Sequence, residues 1–186
     1  MPIATPAEGT TVRVFTFKQG LLSGIAHDLE IAIDTFWIDW TVGHVSATFD
    51  TRSLRVLHAV VAGHPAPNAL SAHDLRKIGQ TIADEVLVTS RHPEARFESA
   101  SVSAEGDDFA VRGTLELCGA RNELTVRVHR EQATYTAELV LDQRNFGIVP
   151  YSAMMGALKL KPEVRVRVRV PASATGASLR APTSSA

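Results

Sequence analysis

Alternation of apolar and polar residues along most of the chain restricts its fold more than any other feature. Successive side chains of a β-strand point to opposite faces, so a period of two indicates strands with one dry and one wet face. The clearest case is residues 164–170, where valines alternate with Arg165, Arg167 and Arg169. The pattern also recurs in the stretches that begin near Leu29, Phe36, Val45, Phe109, Leu124 and Tyr135. A mainly β protein is therefore predicted, with the arginines on a solvated face that would discourage edge-to-edge aggregation.

Short turn-forming segments between these runs predict antiparallel neighbours. Residues 105–108 (Glu-Gly-Asp-Asp) and 119–122 (Gly-Ala-Arg-Asn) have the residue types that tight hairpins need. A parallel sheet would require a helical crossover between consecutive strands, and residues 113–142 leave no room for one. The sheet is expected to be antiparallel.

One segment breaks the period of two and predicts a helix over residues 72–86. Ser71, followed by Asp74 three residues later, is a variant of the capping box that satisfies the first free N–H groups of a helix. Apolar residues then recur at spacings of three and four, at Leu75, Ile78, Ile82 and Val86.

Composition and motifs argue against several classes of function. The formal net charge is −1, from 19 basic and 20 acidic residues, so no global field favours nucleic acid or an anionic membrane. Cys118 is the only cysteine, and the seven histidines show neither H-x-x-x-H nor H-x-H spacing; no metal or cofactor is expected. Neither a nucleophile elbow nor a nucleotide-binding glycine motif occurs.

His27 and Asp28 are the pair that most resembles catalytic machinery, because a carboxylate can orient an imidazole and raise its basicity. On a strand, however, adjacent residues point to opposite faces. We therefore interpret His27 as a buried or rim hydrogen-bonding residue and expect no catalytic residue and no enzyme. A small-molecule enzyme that uses His27 with Asp28 remains the alternative.

The 186 residues suit a single domain. We expect an N-terminal extension over residues 1–10, the β domain over 11–170, and a flexible tail of small and polar residues over 171–186. No signal peptide and no membrane-spanning run is visible in the sequence, which predicts a cytoplasmic protein.

A curled sheet of roughly ten strands either fills its lumen with side chains or leaves a cavity for an elongated apolar ligand. Parity along the strands gives the candidates for the inner face, although a register shift of one residue would exchange the two faces. The candidate lining residues are Trp40, Phe97, Phe109, Leu115, Leu139 and Leu141, with Phe146 near Arg144 at a rim.

Several stretches carry a likeness to a known family. Residues 91–99 (RHPEARFES) have a proline, a short gap and an F-x-S strand, and residues 109–119 (FAVRGTLELCG) are similar to a G-x-L-T-apolar-x-G strand and turn. Residues 142–148 contain R-N-F-G-I, residues 164–170 fit a last strand, and residues 23–28 resemble a histidine-containing strand. In this order, over residues 11–170, they resemble the YceI family of lipid-binding proteins.

The resemblance implies a lipocalin-like antiparallel barrel of about eight strands, with one helix covering an end and an apolar tunnel for a polyisoprenoid or similar long-chain lipid. The chain departs from the family at residues 73–77, where HDLRK replaces an R-D-x-H-L run, and it lacks the leader that many relatives carry. The expected function is binding, transport or storage of such a lipid. The other alternative is a structural or interaction domain with a filled lumen and with residues 154–158 as an apolar contact surface. A second copy could cover an open seam or this apolar edge, which would give a homodimer.

Overall fold

The computed structural model describes residues 9–19, 27–41, 43–156 and 158–173. Within these ranges the strands are β1 Thr11–Thr16, β2 Lys18–Gln19, β3 Asp28–Ile33, β4 Phe36–Thr41, β5 His44–Asp50, β6 Leu54–Val61, β7 His64–Ala66, β8 Glu94–Glu105, β9 Asp108–Leu117, β10 Ala120–Glu131, β11 Thr134–Asp142, β12 Ser152–Ala153, β13 Leu158–Leu160 and β14 Glu163–Pro171. Helix α1 spans Ala72–Thr81 and continues as a π-helical turn over Ile82–Val86; 3-10 turns cover Thr51–Ser53, Gln143–Phe146 and Met154–Gly156.

Eleven of these strands form one curled antiparallel sheet in the order β4-β5-β8-β9-β10-β11-β14-β1-β3-β6-β7. A small sheet of order β12-β13-β2 lies where β1 ends. The predicted mainly β, lipocalin-like antiparallel fold with one helix is confirmed, with more strands than the eight expected. In the part of the chain that the structure describes, no ladder joins the edge strands β4 and β7.

The arginines of β14 occupy the outer face of a central strand. β14 pairs with β11 on one side and with β1 on the other, so the idea that its arginines protect a sheet edge is wrong. Arg165 and Arg167 instead bind Glu138, at 3.4 and 2.7 Å. Their guanidinium carbons lie 5.6 and 5.2 Å from the ring centres of Phe17 and Phe15. Ion pairs and cation–π contacts of Arg165 and Arg167 thus stabilise the outer face of the sheet around β14.

Tight hairpins connect the long strands of the second half. β8 and β9 meet at the predicted turn, where Gly106 has φ +69°. β9 and β10 meet at Cys118 and Gly119, one residue earlier than the predicted 119–122 segment. Both residues have positive φ, +50° and +80°, as a two-residue turn of the I′ type requires.

The predicted helix is present, and its start is the predicted capping box. The Ser71 hydroxyl accepts a hydrogen bond from the Asp74 N–H at 3.1 Å, and the Asp74 carboxylate accepts one from the Ser71 N–H at 3.2 Å. The helix packs its apolar stripe on β3 and β6, through contacts of Leu75, Ile78 and Ile82 with Leu29, Ile31 and Val56. It therefore covers the end of the sheet at which β3 begins.

Buried apolar residues form four separate clusters around the sheet rather than one central core. These clusters are centred on Val12 and Phe36, on Ile31 and Val56, on Val111 and Tyr135, and on Leu115 and Phe146. The inner face of the sheet therefore borders a space instead of filling it. Of the helices described, none is both long and apolar enough to cross a membrane.

Candidate functional site

A cavity of about 470 Å³ lies inside the curled sheet. Its wall is built from the inner faces of β1, β3, β4, β5, β8, β9, β10, β11 and β14, and α1 with its π-helical turn adds to it. Alternation decides which residues reach the cavity: Val164, Val166, Val168 and Val170 line it, whereas the arginines between them do not. The same holds on β11, where Leu139 lines the cavity and Val140 is 62% exposed.

The cavity lining is almost entirely hydrocarbon. Apart from a few polar groups, the lining side chains are valine, leucine, isoleucine, alanine, phenylalanine and tryptophan. The polar ones are Thr16, Thr51, Thr81, Tyr135, Gln143, Tyr151 and Lys77. Lys77 is the single charged residue among those that line the cavity in the described ranges. Such a lining can remove a long alkyl or isoprenoid chain from water but offers few groups to recognise a polar molecule.

Five of the candidate residues lie where parity predicted them. Trp40, Phe97, Leu115, Leu139 and Leu141 all line the cavity. They come from β4, β8, β9 and β11, so the long-range pairing of the sheet brings them together. Contact with a ligand remains a prediction for each of them.

Phe109 has the expected parity but is not a lining residue. Its ring packs edge-on against Trp40 at 5.4 Å between ring centres and against Tyr135 at 6.1 Å, while Trp40 and Tyr135 are 5.1 Å apart. Tyr135 pairs with Val170, at the far end of β14 from the helix. Phe109 thus packs behind Trp40 and Tyr135, which line this end of the cavity.

Phe146 and Arg144, in the 3-10 turn of residues 143–146, also lie outside the lining. Phe146 is 3% exposed and packs with Leu115 and Ile148. Arg144 points outward to Asp142, at 2.6 Å, and this hydrogen bond lowers the pKa of the Asp142 carboxyl. Gln143 lines the cavity where the rim residue was expected.

His27 is half-buried and is not a lining residue either. The Asp28 carboxylate accepts a hydrogen bond from the backbone N–H of Lys18 at 2.7 Å. This hydrogen bond fixes the start of β2. Among the contacts of the described residues, none has the Asp28 carboxylate orienting the His27 imidazole. Residues 23–26 of the histidine-containing stretch lie outside the described residues.

The remaining reactive groups show no assembled chemistry. Among the described residues, no three histidine, cysteine, aspartate or glutamate side chains are grouped so that they could hold a metal ion. Cys118 is half-buried, with its Sγ 3.6 Å from the Leu87 carbonyl to which it donates. Burial raises the pKa of this thiol, which keeps it in the less reactive protonated form near neutral pH.

Most of the chain matches a known protein family. The model of the YceI-like domain matches residues 7–172. The chain belongs to this family. None of the curated proteins matches the sequence.

Two solved structures share the YceI-like architecture. BcnA of Burkholderia cenocepacia is 17% identical with a TM-score of 0.60, and the match covers 87% of this chain and 94% of BcnA. A polyisoprenoid binding domain from Saccharophagus degradans, implicated in plant cell wall breakdown, is 14% identical with a TM-score of 0.56; the coverages are 90% and 94%. At these identities the likeness shows a common fold.

Sequence reasoning missed the part of this YceI-like cavity that comes from the helix. Lys77, Ile78, Thr81 and Ile82 line it, although the apolar stripe of the helix had been predicted. The available signal was the position of Lys77 and Thr81, which lie one turn apart beside that stripe. Tyr135 was also missed, although it alternates with Ala137 and Leu139 on one face of β11.

Proposed function

We propose that this protein binds one long-chain amphiphilic lipid of the polyisoprenoid type in its central cavity and acts as a carrier or store for it. The observation that carries the proposal is the nearly unbroken hydrocarbon lining of a cavity of about 470 Å³. Each CH₂ group of the ligand that is removed from water contributes about 0.8 kcal/mol to the free energy of binding. A chain of modest length can therefore be held with few polar contacts.

The shape of the lining residues supports a branched ligand. Most of the lining side chains are valine, leucine and isoleucine, and their methyl groups can pack against the methyl branches of an isoprenoid. The Saccharophagus degradans neighbour is a polyisoprenoid binding domain of the same fold, which supports the same ligand class here. The volume lies within the range of about 300–1,000 Å³ found for small-molecule sites.

No catalytic step is part of the proposal. An enzyme that uses His27 with Asp28 is not favoured by any contact, because the carboxylate serves the Lys18 backbone. A domain with a filled core is disfavoured by the cavity itself. Ligand transfer needs only reversible entry and exit of the lipid.

Native mass spectrometry of the protein purified from its own host tests the proposal, followed by solvent extraction and identification of what is released. We expect a bound lipid at one per chain. Delipidated protein is then offered a polyisoprenol and, as a control, a polar molecule of similar mass such as a short oligosaccharide. Uptake of the polyisoprenol alone supports the proposal. An empty protein that takes up neither compound would refute it.

A further inference from the structure

The loop of residues 147–156 exposes large apolar side chains beside the cavity. Val149 is 79% exposed, Met154 is 62% exposed and Met155 is fully exposed. The other exposed large apolar residues that the structure describes stand singly on separate strands: Trp37, Val61 and Val140. Only this loop, which we call the docking loop, groups three of them, and grouped exposure of this kind marks an interaction surface.

The docking loop is continuous with the wall of the cavity. Ile148, which directly precedes Val149, and Tyr151, which lies between Val149 and Met154, line the cavity, as do Leu158 and Leu160 on β13. Ile148 also belongs to the cluster that receives the end of the helical segment through Leu87. The loop and the helix therefore flank the same end of the cavity.

Lysine residues are concentrated at this end. The chain has four lysines: Lys18 is on β2, Lys159 is on β13 beside it, Lys161 follows β13, and Lys77 lines the cavity from α1. Many arginines in the described ranges pair with carboxylates, as Arg112 does with Glu123.

Lys159 and Lys161 are both exposed, and neither forms an ion pair with any residue in the described ranges. Asp84 and Glu85 are exposed on the helical segment. The basic character therefore belongs to the β2–β13 side of this end, next to the docking loop.

We propose that the docking loop, with Lys159 and Lys161, is a membrane-contact surface that sets this end of the cavity on a bilayer containing anionic lipids. Exposed methionine and valine side chains can enter the boundary between headgroups and acyl chains, while the lysine ammonium groups bind lipid phosphates. This arrangement deepens the proposed function, on which it rests, because lipid could pass between bilayer and cavity without crossing water.

A bilayer fits this surface better than a second copy of the chain. A two-fold interface places the same patch against itself, which would bring the lysines of both copies together around the apolar tip. An anionic bilayer supplies apolar depth and negative charge at once. The surface therefore has the chemistry of a lipid interface rather than of a self-association site.

Co-sedimentation of the full chain with vesicles tests this inference. The vesicles are phosphatidylcholine alone or phosphatidylcholine mixed with phosphatidylglycerol. The variants are the triple substitution Val149→Ser, Met154→Ser and Met155→Ser, and the double substitution Lys159→Gln and Lys161→Gln. The matched control is Val140→Ser, which removes an exposed valine from the outer face of β11.

We expect the wild type and Val140→Ser to bind the mixed vesicles alike and phosphatidylcholine more weakly. The triple variant should bind at least about tenfold more weakly, and the lysine variant about fivefold more weakly for each lysine, but only on anionic vesicles. Polyisoprenol affinity measured without vesicles should stay unchanged in all variants, since none of these side chains lines the cavity.

Equal vesicle binding by the triple variant and the wild type would overturn the inference, as would an oligomer in solution that the triple substitution dissociates. The proposed function fails separately: a protein that binds vesicles through the loop but takes up no lipid refutes lipid carriage alone. A protein that takes up lipid but ignores vesicles refutes the docking surface alone.

Discussion

The ring of Phe97 on β8 lies over Gly113 on β9, at a place where no side chain would fit. A Cβ atom built on Gly113 would lie 2.6 Å from Cζ of Phe97 and would also clash with the backbone oxygen of Glu98. The two strands shift register just beyond this point, between Ser99 and Ser101. The absence of a side chain at Gly113 thus leaves room for the Phe97 ring, which lines the cavity.

Replacement of Gly113 by alanine should destabilise the protein. The added methyl must displace the Phe97 ring or the β8 backbone, and overpacking of this kind costs about 1–3 kcal/mol. Urea unfolding measures the free energy of unfolding. Gly79→Ala is the matched control, because its Cβ would meet Val56 at an ordinary 3.7 Å and alanine favours a helix by about 0.5–1 kcal/mol. If both variants had the same free energy of unfolding, the close packing of Phe97 on Gly113 would not contribute to stability.

Substitutions on β11 should separate the cavity face from the outer face. Leu139→Arg places a charge in the cavity and should weaken polyisoprenol binding about a hundredfold or more. Val140→Arg, one residue away on the exposed face, should change it by less than about twofold. Binding is measured by displacement of a fluorescent lipid, and circular dichroism checks the fold. If Leu139→Arg does not fold, Ala137→Phe narrows the same cavity without a charge. The assigned ligand site would be contradicted if Leu139→Arg or Ala137→Phe remained folded and bound polyisoprenol as tightly as Val140→Arg.

The helix start should make stability sensitive to acid. Hydrogen bonds from Ser71 lower the pKa of Asp74 from its usual 3.8. Because the folded-state pKa is the lower one, the charged carboxylate stabilises the fold above the usual value, and this contribution is lost as the pH falls through the folded-state pKa.

Asp74→Asn should therefore be less stable than the wild type at about pH 7, and the difference should shrink at about pH 3. Urea unfolding at both pH values measures it. Asp84→Asn, which neutralises another exposed carboxylate of the helical segment, should show no such change. A difference for Asp74→Asn that persists in acid would point to packing rather than charge.

Cys118 should react slowly with thiol reagents in the folded protein. Burial raises its pKa, and its Sγ is directed at the Leu87 carbonyl, so little thiolate is available near neutral pH. We expect its maleimide reaction at about pH 7 to be at least about tenfold slower than after unfolding in urea. A folded protein that reacts as fast as the unfolded chain would show an accessible thiolate.

The faces of the strands and the position of the helix could be predicted from local patterns of residues. Alternation assigned Leu115, Leu139 and Leu141 to the inner face, because parity is a local property of an extended backbone. Ser71 and Asp74 marked the helix start, because a capping box involves only residues three apart.

The reach of each inward side chain and the choice of neighbouring strands depend instead on contacts between distant parts of the chain. Phe109 shares the inward parity but lies behind Trp40 and Tyr135, since aromatic packing between distant strands cannot be inferred from spacing along one strand. β14 became central only because it pairs with β1 from the other end of the domain. Such long-range pairing also brought the docking loop, the lysines and the helix to one end of the cavity, and no local sequence pattern encodes that assembly.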